Sequence, residues 1–168
     1  MKRKMILRSM LKPRQAVATI FDIDLQPLWE SGYKNLIIDV DYTITAWNTY
    51  HVSDKLKTWV LKLKSKGFRI CLLSNNNQEK VQKFASELGV IAAPRGGKPF
   101  LGAFQSAISS LDASNSNTLI IGDQLFTDIL GGNRAGLYTI LVEPIDNKEF
   151  IGTRLVRLLE SLITGRRL

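Results

Sequence analysis

Four apolar runs divide the chain, and each is nearly continuous where an amphipathic strand would alternate. They read NLIIDV at 35–40, FRICLLS at 68–74, NTLIIGD at 117–123 and LYTILVE at 137–143. Continuous aliphatic runs of this length are typical of strands buried on both faces of a sheet. The pattern therefore predicts a parallel sheet whose two faces are covered by helices.

Apolar residues between these runs recur at helical spacing and predict the covering helices. One helix runs from a cap at Ser53 to Gly67, and a second contains Val81 and Leu88 and stops at Gly89. A short strand follows, then a third helix after Pro99 and a fourth over about 126–134. An amphipathic helix over 154–164, packed on the sheet, closes the chain. The predicted fold is a single Rossmann-like α/β domain.

The positive charge of the protein lies mainly at the two ends of the chain. The chain of 168 residues has a net charge of +8, and residues 1–14 hold six Lys or Arg and no acid. A body that bound nucleic acid would carry that basicity across its surface, so no nucleic-acid partner is expected. We interpret residues 1–14 as a basic amphipathic segment for an anionic membrane surface, or else as a disordered, solubilising start. Residues 15–168 form the predicted domain.

The location follows from what the chain does not contain. No apolar run approaches the ~20 residues that a membrane-spanning helix needs, and the start does not resemble a signal peptide. The single cysteine, Cys71, excludes an internal disulfide and indicates a reducing compartment. We expect a cytoplasmic protein that is peripheral on a membrane. The sequence leaves the oligomeric state open.

Polar residues collect where the predicted strands end. Asp39, Asp41 and Thr43 follow the first strand, and Ser74, Asn75 and Asn76 the second; Asp123 and Asp128 follow the third, and Lys98 precedes a helix. Parallel strands bring these ends to one edge of the sheet. Crowded carboxylates repel and favour a hard divalent cation, and oxygen ligands with incomplete protein coordination suit Mg²⁺. One histidine and one cysteine cannot build a zinc site.

A cation, an ammonium group and a hydroxyl around a carboxylate are what phosphoryl transfer requires. In this reading Asp39 attacks phosphorus and forms an aspartyl phosphate. Asp41 protonates the leaving oxygen and later takes a proton from the attacking water.

Four motifs in order resemble the haloacid dehalogenase superfamily of aspartate-nucleophile phosphatases: DVDYT at 39–43, SNN at 74–76, KP at 98–99 and GDQLFTD at 122–128. The resemblance implies that Asp39 is nucleophile and Mg²⁺ ligand, that Asp41 gives its backbone carbonyl to the metal, and that Asp123 is the remaining ligand. It implies that Ser74 and Lys98 hold the phosphoryl group. Asp128 is either a partner of the metal's waters or a counter-charge to Lys98.

The similarity is closer to the YqeG-like branch, which includes phosphatidylglycerophosphatases, and it rests on AWN at 46–48 and GNRAGLYTILVEPI at 132–145. The connections leave no room for a cap domain, so the site is expected to be open and to suit a phosphate on a large substrate. Thr43, Trp47, Asn48 and Asn75 are candidate substrate-binding residues, with ordinary packing as the alternative for Trp47.

The predicted substrate is therefore a phospholipid, phosphatidylglycerophosphate. A capless phosphatase of phosphoproteins or nucleic-acid ends is the enzymatic alternative. A receiver-like phospho-acceptor domain is the non-enzymatic one. Receivers place a pair of acids first, the phospho-accepting aspartate later and the lysine last, whereas here Lys98 precedes Asp123 and the first strand already carries Asp39 and Asp41 followed by Thr43.

Overall fold

A computed structural model describes residues 8–94 and 96–145. Its centre is a six-stranded parallel sheet with the spatial order β1-β6-β5-β2-β3-β4. The strands are β1 (Gln15–Val17), β2 (Asn35–Ile38), β3 (Arg69–Leu72), β4 (Ile91–Ala92), β5 (Thr118–Gly122) and β6 (Tyr138–Val142). The four strands predicted from the apolar runs and the short strand after the second helix are confirmed.

Five α-helices connect the strands: α1 (Gln26–Glu30), α2 (Asp54–Ser65), α3 (Gln78–Leu88), α4 (Leu101–Ser110) and α5 (Leu130–Arg134). Short 3₁₀ turns lie at Ile20–Asp22 and Asn115–Asn117. The helix predicted over 126–134 is divided, because Leu125–Ile129 forms a π-helical turn before α5 begins. The helix predicted over 154–164 lies outside the described residues.

Two predicted helix ends, the cap at Ser53 and the stop at Gly89, are confirmed. The Ser53 side chain accepts a hydrogen bond from the Leu56 amide, which caps α2. Gly89 ends α3 with φ near +64°, a conformation that residues with a side chain rarely adopt.

The core explains why the strands are apolar without alternation. Leu36 and Ile38 of β2 belong to one buried cluster, which includes Leu56 of α2 and Phe84 of α3. Ile37 belongs to a second cluster on the opposite face. Successive residues of a strand point to opposite faces, so a sheet covered on both sides needs apolar residues at every position.

The N-terminal edge differs from the prediction. Strand β1 was not predicted, because it has three residues and carries no apolar run; it pairs with β6 from Gln15↔Ile140 to Val17↔Val142. Leu11, which lies within the predicted amphipathic segment, is buried with Leu125, Ile129 and Leu141. Residues 1–7 lie outside the described residues, so a membrane role for that part stays a prediction.

The connection after β2 contains no inserted domain. Residues 39–53 form turns and one isolated bridge between Asp41 and Thr45 before α2 begins. Only α3 lies between β3 and β4. Over residues 8–94 and 96–145 the fold is therefore a single α/β domain without a cap, as predicted. None of the helices in residues 8–94 and 96–145 is both long and apolar enough to cross a bilayer.

Candidate active site

The predicted site residues meet at the carboxyl edge of three adjacent strands. Asp39 continues β2, and its amide donates to the Ile121 carbonyl of β5 at 2.9 Å. Ser74 follows β3 and Asp123 follows β5. These strands lie in the order β5-β2-β3, so their ends are neighbours although they are far apart in sequence. A cavity of about 280 Å³ opens at this edge, with Asp39, Asp41, Ser74 and Lys98 in its wall.

Lys98 is buried between two carboxylates. Its Nζ lies 2.5 Å from Oδ1 of Asp39 and 2.6 Å from Oδ1 of Asp128. The other oxygen of Asp128 accepts the Gln124 amide at 3.0 Å. Asp128 therefore contacts Lys98 directly, and the other role left open for it, contact with the metal's waters, stays a prediction.

Asn75 fixes the backbone that carries the lysine. The amide of Lys98 donates to Oδ1 of Asn75 at 2.8 Å, and Nδ2 of Asn75 donates to the Lys98 carbonyl at 3.1 Å. Asn75 also lines the cavity, as expected of a substrate-binding residue. Asn75 can hold the Lys98 backbone and also bind substrate only if the substrate approaches the exposed side of Asn75.

Thr43 lies beside the acidic residues of the site. It is buried and is not among the residues that line the cavity. Its hydroxyl lies 2.9 Å from Oδ1 of Asp123 and 3.4 Å from Oδ2 of Asp39. The shorter contact identifies Asp123 as the main acceptor. Thr43 therefore contacts the acidic cluster, and its contact with substrate stays a prediction.

Asp41 stands apart from the lysine and has its own set of donors. Its carboxylate accepts from the Ser74 hydroxyl at 3.2 Å, from Nδ2 of Asn76 at 3.3 Å to each oxygen, and from the Asn48 amide at 3.1 Å. The structure thus separates two carboxylates that are only two residues apart in sequence. No role was predicted for Asn76, although its position directly after Ser74 and Asn75 in the second motif indicated that it belongs to the site.

The loop after Asp41 supplies part of the cavity wall. Trp47 lines the cavity and is 62% exposed, and its contact with substrate stays a prediction. Asn48 does not line this cavity; it lines a neighbouring one and contacts Asp41 through its amide. The sequence reasoning did not assign roles to three further lining residues, Tyr42, Gln124 and Thr127.

Burial dominates the electrostatics of the acidic cluster. It raises the pKa of Asp39 to about 8, even though Lys98 opposes this effect. Burial, followed by the charge of Asp128, raises the pKa of Asp123 to about 6. Burial lowers the pKa of Lys98, but Asp128 and Asp39 outweigh it, so that pKa is raised overall and the ammonium stays charged. The crowded carboxylates therefore favour the arrival of positive charge.

The donor set fits a hard divalent cation. Asp39, Asp123 and Asp128 each offer a carboxylate oxygen, and these oxygens lie within 4.8 Å of one another. An all-oxygen set is what Mg²⁺ prefers, and it usually completes its coordination with water or substrate phosphate. The Asp41 side chain is not part of this group, and the use of its backbone carbonyl by the metal stays a prediction.

Comparisons with known proteins point in the same direction. The family model of haloacid dehalogenase-like hydrolases matches residues 4–136. The probable phosphatase YqeG of Bacillus subtilis is 34% identical over 158 residues, covering 94% of this chain and 92% of that protein. Phosphatidylglycerophosphate phosphatase 1 of Arabidopsis thaliana is 28% identical over 170 residues, and these cover 95% of this chain but only 49% of that protein.

Solved structures give the same fold at low sequence identity. The cobalt-bound deoxy-D-mannose-octulosonate 8-phosphate phosphatase of Haemophilus influenzae has a TM-score of 0.51 at 17% identity, covering 70% of this chain and 71% of that one. An uncharacterised protein from Listeria monocytogenes has a TM-score of 0.54 at 20% identity, covering 76% and 99%. With the family model and the YqeG similarity, these observations establish that the chain belongs to the haloacid dehalogenase-like hydrolase family.

Proposed function

We propose that this hydrolase is a Mg²⁺-dependent phosphomonoesterase that forms an aspartyl phosphate on Asp39 and converts phosphatidylglycerophosphate to phosphatidylglycerol at a membrane surface. The observation that carries the proposal is that two carboxylates of the site have different hydrogen-bond partners. Asp39 lies 2.5 Å from the buried ammonium of Lys98, whereas Asp41 is held by a separate set of donors on the cavity wall.

The reaction needs two displacements at phosphorus. In the first, an oxygen of Asp39 bonds to phosphorus, the bond to the leaving oxygen breaks, and Asp41 donates a proton to that oxygen. In the second, Asp41 accepts a proton from water as the water oxygen bonds to phosphorus and the bond to Asp39 breaks. Inorganic phosphate leaves, and both carboxylates return to their first state.

The surrounding groups would compensate the negative charge of the phosphoryl group and of the carboxylates in both steps. Lys98 is the buried cation closest to Asp39 and would stabilise negative charge on the transferring phosphoryl group. Ser74 lines the cavity, and its hydroxyl can turn from Asp41 to a phosphoryl oxygen. Thr43 would hold Asp123, with Asp39 and Asp128 nearby, in position for Mg²⁺. When bound, Mg²⁺ would neutralise phosphoryl oxygens and let the carboxylate of Asp39 approach an anion.

A lipid substrate is supported by the surface around the cavity. Trp47 lines the cavity and is 62% exposed, and two further exposed aromatic residues lie close in sequence to lining residues: Phe126, one residue before Thr127, at 65%, and Phe100, two residues after Lys98, at 71%. Aromatic residues are favoured where protein meets the headgroup region of a bilayer. The similarity of 95% of this chain to part of a phosphatidylglycerophosphate phosphatase supports the same choice. We therefore propose a cytoplasmic protein that binds peripherally to an anionic membrane.

The test is phosphate release from matched substrates. Phosphatidylglycerophosphate in vesicles, a phosphopeptide, a 5′-phosphorylated oligonucleotide and a soluble monoester are compared with Mg²⁺ and with a chelator. Turnover of the lipid should exceed the others and should stop on chelation. Faster hydrolysis of the peptide or the oligonucleotide would replace the lipid assignment.

The variant Asp39→Asn tests the covalent route. It removes the nucleophile's charge, so turnover should fall to background while the circular dichroism spectrum stays unchanged. Asp54→Asn, which alters an exposed carboxylate at the start of α2, is the matched control and should retain activity. Turnover by a folded Asp39→Asn protein would reject the aspartyl phosphate.

A further inference from the structure

A second cavity of about 330 Å³ adjoins the catalytic one. Trp47 lines the catalytic cavity, and the next residue, Asn48, lines the second. Consecutive Cα atoms are about 3.8 Å apart, so the two cavities share the loop between them. Asn48 also donates its amide to Asp41 at 3.1 Å, which links the second cavity to the proposed acid/base.

The second cavity contains two lysines of α3. Lys80 and Lys83 both line it, and Nζ of Lys80 donates to Oδ1 of Asn48 at 2.9 Å. Among the residues that the structure describes, neither lysine has a carboxylate within ion-pair distance. Glu87 also lines the cavity and reduces its positive charge by one, which leaves a net single positive charge.

Two further observations favour an anionic occupant. Lys80 lies in the first turn of α3, where the helix dipole disfavours a cation unless an anion is also present. The hydroxyl of Tyr50, another residue of the wall, is buried and has no hydrogen-bond partner in the described chain. A buried donor without an acceptor is unfavourable, and rotation of the Tyr50 ring towards the cavity would let an anion there accept from it.

We propose that this cavity is a second anion subsite, which binds the phosphodiester of the substrate while the terminal phosphate occupies the catalytic cavity. The inference rests on the proposed function, because phosphatidylglycerophosphate carries a monoester and a diester joined by one glycerol. One diester charge matches the net charge of the subsite. The arrangement would select leaving groups that carry a second phosphate, and it would do so at the headgroup itself, independently of attraction to a charged membrane.

The experiment uses two soluble substrates, so that no membrane contributes. Glycerophosphoglycerol phosphate, the deacylated headgroup, carries both phosphates, and glycerol 3-phosphate carries the monoester alone. The measured quantity is the ratio of their kcat/KM values. In the full chain, Lys80→Gln and Lys83→Gln should each lower this ratio about fivefold, the upper range for one solvent-exposed charge pair. Lys62→Gln, which removes the same charge from an exposed position on α2, is the control and should leave the ratio unchanged.

A variant that should raise the ratio distinguishes the subsite from a loss of folding. Glu87→Gln removes the opposing charge and should raise the ratio, a result that damage to the protein would not produce. If Lys80 only positioned the loop through Asn48, Lys80→Gln would reduce both kcat/KM values equally, and an unchanged ratio in all three variants would overturn the subsite. If the unaltered protein hydrolysed glycerol 3-phosphate but not the headgroup, the lipid assignment and the subsite would both fall. Hydrolysis of neither soluble compound, together with none of the lipid, would overturn the proposed function itself.

Discussion

Replacing Gly122 with alanine should displace the Asp128 carboxylate that contacts Lys98. Gly122 ends β5, and a Cβ built there would lie 2.3 Å from Cγ of Asp128 and 2.4 Å from its Oδ2. Asp128 is fully buried, and its carboxylate accepts from Lys98 at 2.6 Å and from the Gln124 amide at 3.0 Å. The close approach leaves no space for a methyl group unless this carboxylate moves.

The size of the effect follows from that geometry. Carbon atoms pack best at about 3.5–4.0 Å, so the carboxyl carbon must move by more than about 1 Å. Overpacking of this kind lowers the free energy of unfolding by about 1–3 kcal/mol. A shift of about 1 Å in the groups that align a reaction reduces the rate by about 100-fold. We therefore expect Gly122→Ala to lose about 2 kcal/mol of stability and about 100-fold in kcat/KM.

Urea unfolding and hydrolysis of a soluble monoester measure the two effects. The matched control is Gly102→Ala in α4, where a Cβ would meet nothing within 4 Å. Alanine is favoured over glycine inside a helix, so this control should gain about 0.5–1 kcal/mol and keep its activity. Normal kcat/KM in Gly122→Ala would refute the claim that Asp128 must stay in place to position Lys98.

Three further predictions concern other parts of the molecule. Thr43→Val removes the hydroxyl that donates to Asp123 and should weaken Mg²⁺ binding about 10- to 100-fold, measured as the Mg²⁺ concentration that half-activates the enzyme. Burial raises the pKa of Cys71 from 9.0 to about 12, so its thiol should not react with a disulfide reagent at pH 8 until urea unfolds the chain. Phe126→Ser should weaken sedimentation with anionic vesicles, whereas Leu61→Ser, a change at an exposed apolar residue of α2, should not.

Each of these has an outcome that contradicts it. An unchanged Mg²⁺ requirement in Thr43→Val would mean that the hydroxyl does not orient the ligands. Rapid thiol reaction in the native protein would contradict the burial of Cys71. The raised pKa also fixes a sign, because the thiol ionises first in the unfolded chain, and the free energy of unfolding should fall as the pH rises from 9.0 towards 12. Equal vesicle binding by Phe126→Ser and Leu61→Ser would remove the aromatic surface from the membrane proposal.

The sequence by itself determined the elements that depend on local pattern. A strand covered on both faces must be apolar at every position, so β2 and β5 could be predicted from the continuous apolar runs alone. Ser53 and Gly89 marked helix ends because capping is a property of a few consecutive residues. Asp39 and Asp123 could be assigned to one edge because all the long strands were predicted to be parallel.

Only the tertiary structure decided which groups touch. Lys98 reaches Asp39 across 59 residues and Asp128 across 30, and the hydroxyl of Thr43 reaches Asp123 across 80. No local pattern encodes such pairs, because they depend on strand order and on side-chain direction at the sheet edge. Strand β1 was not predicted for a related reason. Three residues at an edge need little apolar character, and their pairing with β6 is fixed by a partner more than 120 residues away.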